Sequence, residues 1–391
     1  MERADVVVIG AGVMGTSIAY HLVRRHAGRI VLLEKETVCS GTSAKSSAIV
    51  RTHYSTRPTA AMALLARRML ERFREDAGGE SGFRRTGMLF IGAPAEADGV
   101  KKTVEMNREL GIESELITPV DVRRIDHLLE PADGAPLVWE PRSGYGSPHE
   151  VASTYARRFT ELGGVLRQAA EVTAIETTGG RVGGVATPVT RIAADHVVIA
   201  AGPWAQRVGQ LVGLRLPVMA SRQSIVTLRP RFAYDDGHPI VADLANEVYF
   251  RPETGNLILL GNTRHGDDRP GDPDDYQDRP DAGFVEDVVT RLSRVMPASA
   301  EAEIAGGWSG MYEISPDWNP IMGTVSAISG LHYCVGFSGH GFKLSPAAGL
   351  LMAEQVVDGR ATTLDITPYR LERFEEGRAL KIAYARAGVI A

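Results

Sequence analysis

The N-terminal segment constrains the fold more than any other stretch of the chain. Val6-Val7-Val8-Ile9 is a continuous apolar run that leads directly into Gly10-Ala11-Gly12-Val13-Met14-Gly15. A helix-like stretch follows from Thr16, with Ile18, Ala19, Leu22 and Val23 on one face, and a second apolar run, Ile30-Val31-Leu32-Leu33, ends in Glu34. Strand, G-x-G-x-x-G, helix, strand and acid in this order are the spacing of a dinucleotide-binding βαβ unit. Gly10 permits the tight turn, Gly12 lets the backbone approach a pyrophosphate, and Gly15 lets the helix pack closely on the strand. The helix N-terminus offers free N–H groups and a partial positive charge to phosphates. Glu34 stands where a carboxylate accepts a ribose 2′-hydroxyl and repels a 2′-phosphate.

A chain of 391 residues has room for two domains with their own cores. A net charge of −5 argues against a dedicated nucleic-acid binder. The two cysteines, Cys39 and Cys334, read as free thiols of a reducing compartment rather than as a disulfide. The dinucleotide pattern begins close behind Met1, so no signal peptide is expected, and no apolar run approaches the ~20 residues of a membrane span. A soluble cytoplasmic protein is the expectation. No His, Cys, Asp or Glu set has zinc-like spacing and no G-x-S-x-G occurs, which argues against metal and serine-nucleophile chemistry.

Beyond Glu34 lies a small-residue loop, Cys39 to Ser47, and then an amphipathic helix is expected over 58–75, with Met62, Leu65, Met69 and Phe73 at helical spacing. Helices are expected near 96–110 and 149–162, and strands at Thr86 to Ile91, near 165–187, at His196 to Ala201 and through much of 215–262. The run from Arg264 to Gly283 is crowded with Asp, Pro, Gly and Arg and reads as a plain solvated loop in preference to a lid. The last helix is expected to start near Pro346. This order predicts an α/β fold whose Rossmann-like nucleotide domain is discontinuous: 1–82, 145–218 and 321–391, with 83–144 and 219–320 forming a sheet-rich substrate domain. A nicotinamide-dependent enzyme more usually completes its Rossmann sheet in one block, so the interleaving favours a flavin. Glu34 suits either dinucleotide, and a nicotinamide-binding protein without flavin stays open on these residues alone.

Three glycine-rich junctions stand out: Gly10 to Gly15, Ala200-Ala201-Gly202-Pro203, and Gly336 to Gly341. Together with Ser40 to Tyr54, Ala200 to Trp204, Tyr312 to Asp317, and Gly336-Phe337-Ser338-Gly339-His340-Gly341-Phe342-Lys343, they carry a resemblance that runs over essentially the whole chain. The sequence resembles the D-amino-acid-oxidase-like flavoproteins, within them the sarcosine oxidases, dimethylglycine dehydrogenases, glycine oxidases and proline dehydrogenase β subunits. The resemblance implies FAD held by Gly10, Gly12, Val13, Met14, Gly15, Glu34, Lys35, Ser40, Thr42, Ser43, Lys45, Ser46, Ser47, Val172, Ala201, Gly202, Trp204, Gly310, Gly339, His340, Gly341, Phe342 and Lys343. It also implies that Arg51 and Lys343 hold a substrate carboxylate, a sensible pairing of a bidentate guanidinium with a second cation. Lys343 near a helix N-terminus opposes the macrodipole, which hints at another task. Tyr312, Tyr249 and His340 match active-site positions of the family.

Two departures qualify the match. The positions that carry a covalent flavin link in some relatives correspond here to Gly310 and to about Lys45, which implies non-covalent FAD. A Lys that activates oxygen in monomeric sarcosine oxidases corresponds to about Leu259, which weakens the case for fast oxygen use. The activity implied is oxidation of a small carboxylate-bearing amine, a secondary or N-methyl amino acid or a cyclic imino acid, by hydride transfer to flavin N5 and hydrolysis of the imine. The electron acceptor is oxygen or a redox partner. Alternatives are a FAD-bearing β-type subunit that needs a partner chain, and a D- or L-amino acid oxidase.

Overall fold

The computed structural model describes residues 2–264 and 268–382. Its first sheet is built around strand Glu2–Ile9, whose inner half, Val6 to Ile9, is buried on both faces, as a continuous apolar run demands. That strand is parallel to Ile30–Leu33 on one side and to Arg191–Ile199 on the other, with Val6 opposite both Ile30 and His196. Val165–Arg167 extends the sheet beyond Ile30–Leu33. Strand Arg191–Ile199 is shared along its length. Its first half pairs antiparallel with Arg181–Ala186, and its second half pairs parallel with Leu331–Val335. Ala174–Thr178 and Ile321–Thr324 complete the eight strands.

Helices Val13–Arg24, Pro148–Glu161 and Gly341–Asp358 pack on this sheet. The first and last approach closely because Gly349 lies directly on Ser17, where any Cβ would collide. The last helix begins at Gly341, earlier than the sequence suggests, and Pro346 lies inside it. Proline leaves the carbonyl four residues back without its N–H. The Ser345 hydroxyl supplies a replacement, donating to the Phe342 carbonyl at 2.9 Å. The helix expected over 58–75 is two, Arg57–Glu71 and Phe73–Ala77.

The second sheet also has eight strands, in the order Glu303–Ile314, Met219–Arg229, Leu257–Asn262, Val248–Glu253, Ile240–Asp243, Met88–Ile91, Leu137–Glu140 and Glu115–Ile117. Helix Ala282–Val295 buries Val288, Leu292 and Val295 against one face. The other face buries Met88, Phe90, Tyr249 and Leu259 in a cluster that reaches Tyr145. A small third sheet of Ile49–Val50, Gly144–Tyr145 and Arg84–Arg85 lies nearby. Both cysteines are buried and free. Among the described residues no helix is long and apolar enough to cross a membrane.

Candidate active site

Three parallel strands of the first sheet, Glu2–Ile9, Arg191–Ile199 and Leu331–Val335, end at the same edge, and each runs into one of the glycine-rich junctions. Ligands of open α/β sheets bind at such carboxyl ends. Gly10 has φ +102°, and a Cβ there would stand 2.5 Å from the Ala200 carbonyl oxygen, so two of the junctions touch through a position only glycine fills. Gly15 presses on the Gly10 carbonyl, which makes it a packing residue. The N–H of Val13 donates to Ser43 Oγ at 3.2 Å, bringing the small-residue loop over the helix N-terminus. Glu34 accepts the Ala11 N–H at 2.7 Å on one oxygen and the Glu36 N–H at 2.9 Å on the other, so the acid is fixed beside the turn.

These pieces wall one long cleft of about 1740 Å³, its open mouth included. Every residue assigned above to the cofactor lines it except Gly15, His340 and Lys343. The cleft runs from Glu34 and Lys35 at one end to Gly339, Tyr249 and Tyr312 at the other, and Ile9, Val172 and Leu211 add apolar lining. A row of close-packed glycines, a helix N-terminus and a carboxylate beside it form a donor and acceptor set that fits a dinucleotide.

Behind the tyrosine end lie the groups that do not line the cleft. Arg51 and Lys343 are both buried, at 3% and 7% exposure, and are in electrostatic contact. Desolvation, followed by the charge of Arg51, pushes the Lys343 ammonium well below its ordinary range. Among the described residues no hydrogen bond or ion pair is made by the Lys343 side chain. Arg51 stacks its guanidinium 4.1 Å from the centre of the Tyr54 ring and donates to the His53 carbonyl. Glu140, the nearby buried acid, has one oxygen already occupied by the Thr52 and His53 N–H groups and by the hydroxyls of Thr52 and Ser143. The Tyr54 hydroxyl meets His340 Nδ1 at 3.0 Å, which places His340 as a support of Tyr54 and Arg51 behind the cleft wall.

Tyr249 and Tyr312 are hydrogen-bonded to one another, and Tyr249 also to Ser47. Burial raises both hydroxyls, so each stays an O–H donor at neutral pH. Tyr249 lies across Gly261, its partner on the adjacent strand, which has no side chain to obstruct the ring.

A family model described as FAD dependent oxidoreductase matches residues 5–355. The chain belongs to this family. Over 99% of its length it is 28% identical to sarcosine oxidase subunit beta of Rhodobacter capsulatus, covering 92% of that protein. It is also 28% identical to glycine oxidase of Geobacillus kaustophilus, over 95% of this chain and 97% of that one. Among solved structures, L-proline dehydrogenase from P. horikoshii superposes with a TM-score of 0.88 at 26% identity, over 96% of this chain and 99% of that one. The dinucleotide is therefore FAD, and a nicotinamide protein without flavin is set aside.

Within this FAD-dependent oxidoreductase Gly310 and Lys45, the positions the resemblance relates to flavin links, are neighbours. A Cβ on Gly310 would stand 2.7 Å from Lys45 Cβ, and Trp308 Nε1 donates to the Lys45 carbonyl at 2.9 Å. Leu259 is fully buried in the apolar cluster with Met88 and Phe90 and does not line the cleft.

Two residues of the cleft escape the sequence reading. Glu313 follows Tyr312, is buried, and has its carboxyl pushed up to about 7 by desolvation. One of its oxygens is within 3.4 Å of the Phe337 N–H, while the other has no hydrogen-bond partner among the described residues. The signal was a charged residue inside an otherwise apolar and small-residue strand, Gly310 to Ile314. Asp274 is the second. It belongs to the run read as a plain solvated loop, yet it lines the cleft and accepts from Lys35, Trp204 and Arg207. Only its spacing from Pro273 and its crowding with other acids were visible in sequence, and neither says what it touches. Residues 265–267 of that run lie outside the described residues.

Proposed function

We propose that this FAD-dependent oxidoreductase oxidises a small amine that carries a carboxylate, a secondary or N-methyl amino acid or a cyclic imino acid, to the imine, which then hydrolyses. The observation that carries the reading is the buried pair of cations, Arg51 and Lys343, behind the tyrosine end of the cleft, where the Lys343 side chain makes no hydrogen bond or ion pair among the described residues. Two desolvated positive charges this close are costly unless an anion joins them. A substrate carboxylate is that anion, bound bidentately by Arg51 and by a charge-assisted bond to Lys343.

Bound FAD supplies the two-electron acceptor. Arg51 and Lys343 fix the acid end of the substrate, and the hydrogen-bonded Tyr249 and Tyr312 hydroxyls offer an oxygen that accepts the amine N–H. Two cations against one carboxylate leave net positive charge, which disfavours the ammonium form of the substrate and favours the free amine with its lone pair available. No strong protein base is needed on this account. Tyr54 and His340 hold Arg51 in place. The FAD is held without a covalent link, since Gly310 offers no attachment atom. The segments 1–82, 145–218 and 321–391 serve the cofactor in this reading, and 83–144 and 219–320 the substrate; residues 383–391 lie outside the described ones. The protein works in the cytoplasm, with oxygen or a redox partner reoxidising it.

A second reading is supported by the similarity to a protein named as a β subunit, which spans nearly this whole chain. In it the same site works only beside a partner chain. Anaerobic bleaching of the flavin by sarcosine, dimethylglycine, proline, pipecolate, glycine and D- and L-amino acids tests both. Bleaching of the purified single chain by one of the secondary amines supports the first reading, and bleaching only after a partner is added supports the second. Bleaching confined to primary amino acids makes it an amino acid oxidase instead. Recolouring in air separates oxidase from dehydrogenase, and no bleaching by any carboxylate-bearing amine refutes the roles of Arg51 and Lys343.

A further inference from the structure

The segment from Asp268 to Asp281 crosses from the second sheet to the Glu34 end of the cofactor cleft and is anchored at three places. At its start, the Gly271 N–H donates to the Ala220 carbonyl at 2.8 Å and Pro270 forms a bridge with Ser221. At its end, the Asp278 carbonyl accepts the Ser309 N–H at 2.7 Å. Both anchors are on strands of the second sheet, Met219–Arg229 and Glu303–Ile314. In the middle the chain reaches the elements of the first sheet through two carboxylates, Asp272 and Asp274, of which Asp274 gathers three donors. Asp274 accepts Lys35 Nζ at 2.5 Å, Trp204 Nε1 at 2.8 Å and an Arg207 N–H at 2.5 Å.

The geometry of these donors is specific. The Lys35 ammonium sits 4.0 Å from the centre of a Trp204 ring, and the edge of that indole lies 3.3 Å from where a Gly41 Cβ would be. Lys35 follows Glu34, and Gly41 belongs to the small-residue loop, so Asp274 ties together three elements that wall the cofactor cleft. Arg207 also donates to Asp272 at 2.6 Å, and the Asp274 N–H donates to the same acid at 2.9 Å, which sets the turn that presents Asp274. Lys35, Trp204, Arg207 and Asp274 all line the cleft.

We infer that Asp268–Asp281 is a strap that retains FAD, with Asp274 as its latch. Its middle carries one buried apolar residue, Pro273, and its contacts with Lys35, Trp204 and Arg207 are polar. The side chains of Lys35, Arg207 and Asp274 are 27%, 48% and 46% exposed, so their attraction is screened by salt. FAD cannot leave by the Glu34 end while the latch is closed. Its dissociation therefore depends on opening an ionic cluster, and the rate rises with ionic strength.

The test is stopped-flow or manual measurement of FAD release from the holoenzyme, followed by the recovery of flavin fluorescence, in 0.05 and about 0.5 M NaCl, salts that span the steep part of ionic screening. For the wild type the rate rises with salt. D274N keeps the size of the side chain and removes its charge; it releases FAD about tenfold faster at low salt, in line with the loss of two to three exposed charge-assisted contacts, and its rate changes less with salt than the wild type's, the Arg207–Asp272 pair remaining. The melting temperature of the FAD-free D274N protein matches that of the FAD-free wild type, since the latch is not part of either core. Equal release rates and equal salt dependence in the two proteins overturn the proposal, as does a D274N protein whose FAD-free form melts far lower. This outcome is independent of which amine the enzyme oxidises.

Discussion

Replacing Lys343 by Met removes a charge and keeps the length and apolar stem of the side chain, so the helix start at Gly341 is preserved. The magnitude follows from burial. Arg51 and Lys343 are both nearly inaccessible, so a carboxylate bound between them loses one charge-assisted hydrogen bond in a dry site when Lys343 goes. Such a bond is worth about 1.5–3 kcal/mol, or about 10- to 150-fold in Kd. The pH dependence sharpens the test. The Lys343 ammonium is held well below its ordinary range, by desolvation first and by Arg51 second. An arriving carboxylate favours the charged form, so binding takes up a proton when Lys343 is neutral in the free enzyme. Affinity is then greatest at pH below the depressed value and falls as pH rises through it. The ratio of wild-type to K343M affinity is largest at acid pH and shrinks towards one in alkali. The assay is titration of the flavin spectrum with propionate, a carboxylate that lacks the amine and is not oxidised, across a pH series. A K343M protein that binds propionate as tightly as the wild type, with the same pH profile, refutes the carboxylate role of Lys343. The same variant is expected to melt a few degrees higher without ligand, because it no longer buries an unpaired cation.

Three further substitutions test other parts of the molecule. Glu313 has its carboxyl raised from 4.5 to about 7, so the folded state binds more protons than the unfolded one between those values and loses stability as pH rises through them. E313Q flattens that slope in thermal melts and is more stable than the wild type at pH 8, by at most about 3 kcal/mol; an unchanged slope means that Glu313 titrates normally. Arg373 and Asp317 form a bidentate ion pair at 1% and 4% side-chain exposure, which ties the C-terminal segment to the turn after Tyr312. R373A leaves Asp317 buried without its cation and costs about 3–5 kcal/mol in denaturant unfolding; a loss under about 1 kcal/mol means the acid finds water or another donor. The resemblance to monomeric sarcosine oxidases puts an oxygen-activating Lys at about Leu259. L259K puts a charge among Met88, Phe90 and Tyr249, and yields little soluble protein. A soluble L259K enzyme whose reduced flavin reoxidises faster in air overturns the placement of Leu259 away from the cleft.

What the sequence made legible was local, and what it concealed depends on distant contacts. The turn at Gly10 and the acid at Glu34 are set by residues within one βαβ unit, where spacing alone dictates geometry, and the structure places both at one end of the cleft. The start of the last helix was missed because proline marks a first turn more often than an interior. Here Ser345, the residue before it, restores the lost donor to the Phe342 carbonyl, a compensation only visible in three dimensions. Asp274 was unreadable for a stronger reason: its partners lie 239, 70 and 67 positions away, and no local pattern reports a carboxylate that is held by two distant segments. Lys343 lies between these cases. Its position against a helix dipole gave a local sign of misfit, and the burial beside Arg51 explains it. A cation that is unfavourable both to its helix and to its neighbour persists where a ligand of opposite charge completes the site. The same logic separates Lys343 from Arg373, an equally buried cation whose acid is already supplied by Asp317 within the fold. On the proposed function the first is left open for a substrate, and the second is closed by its acid.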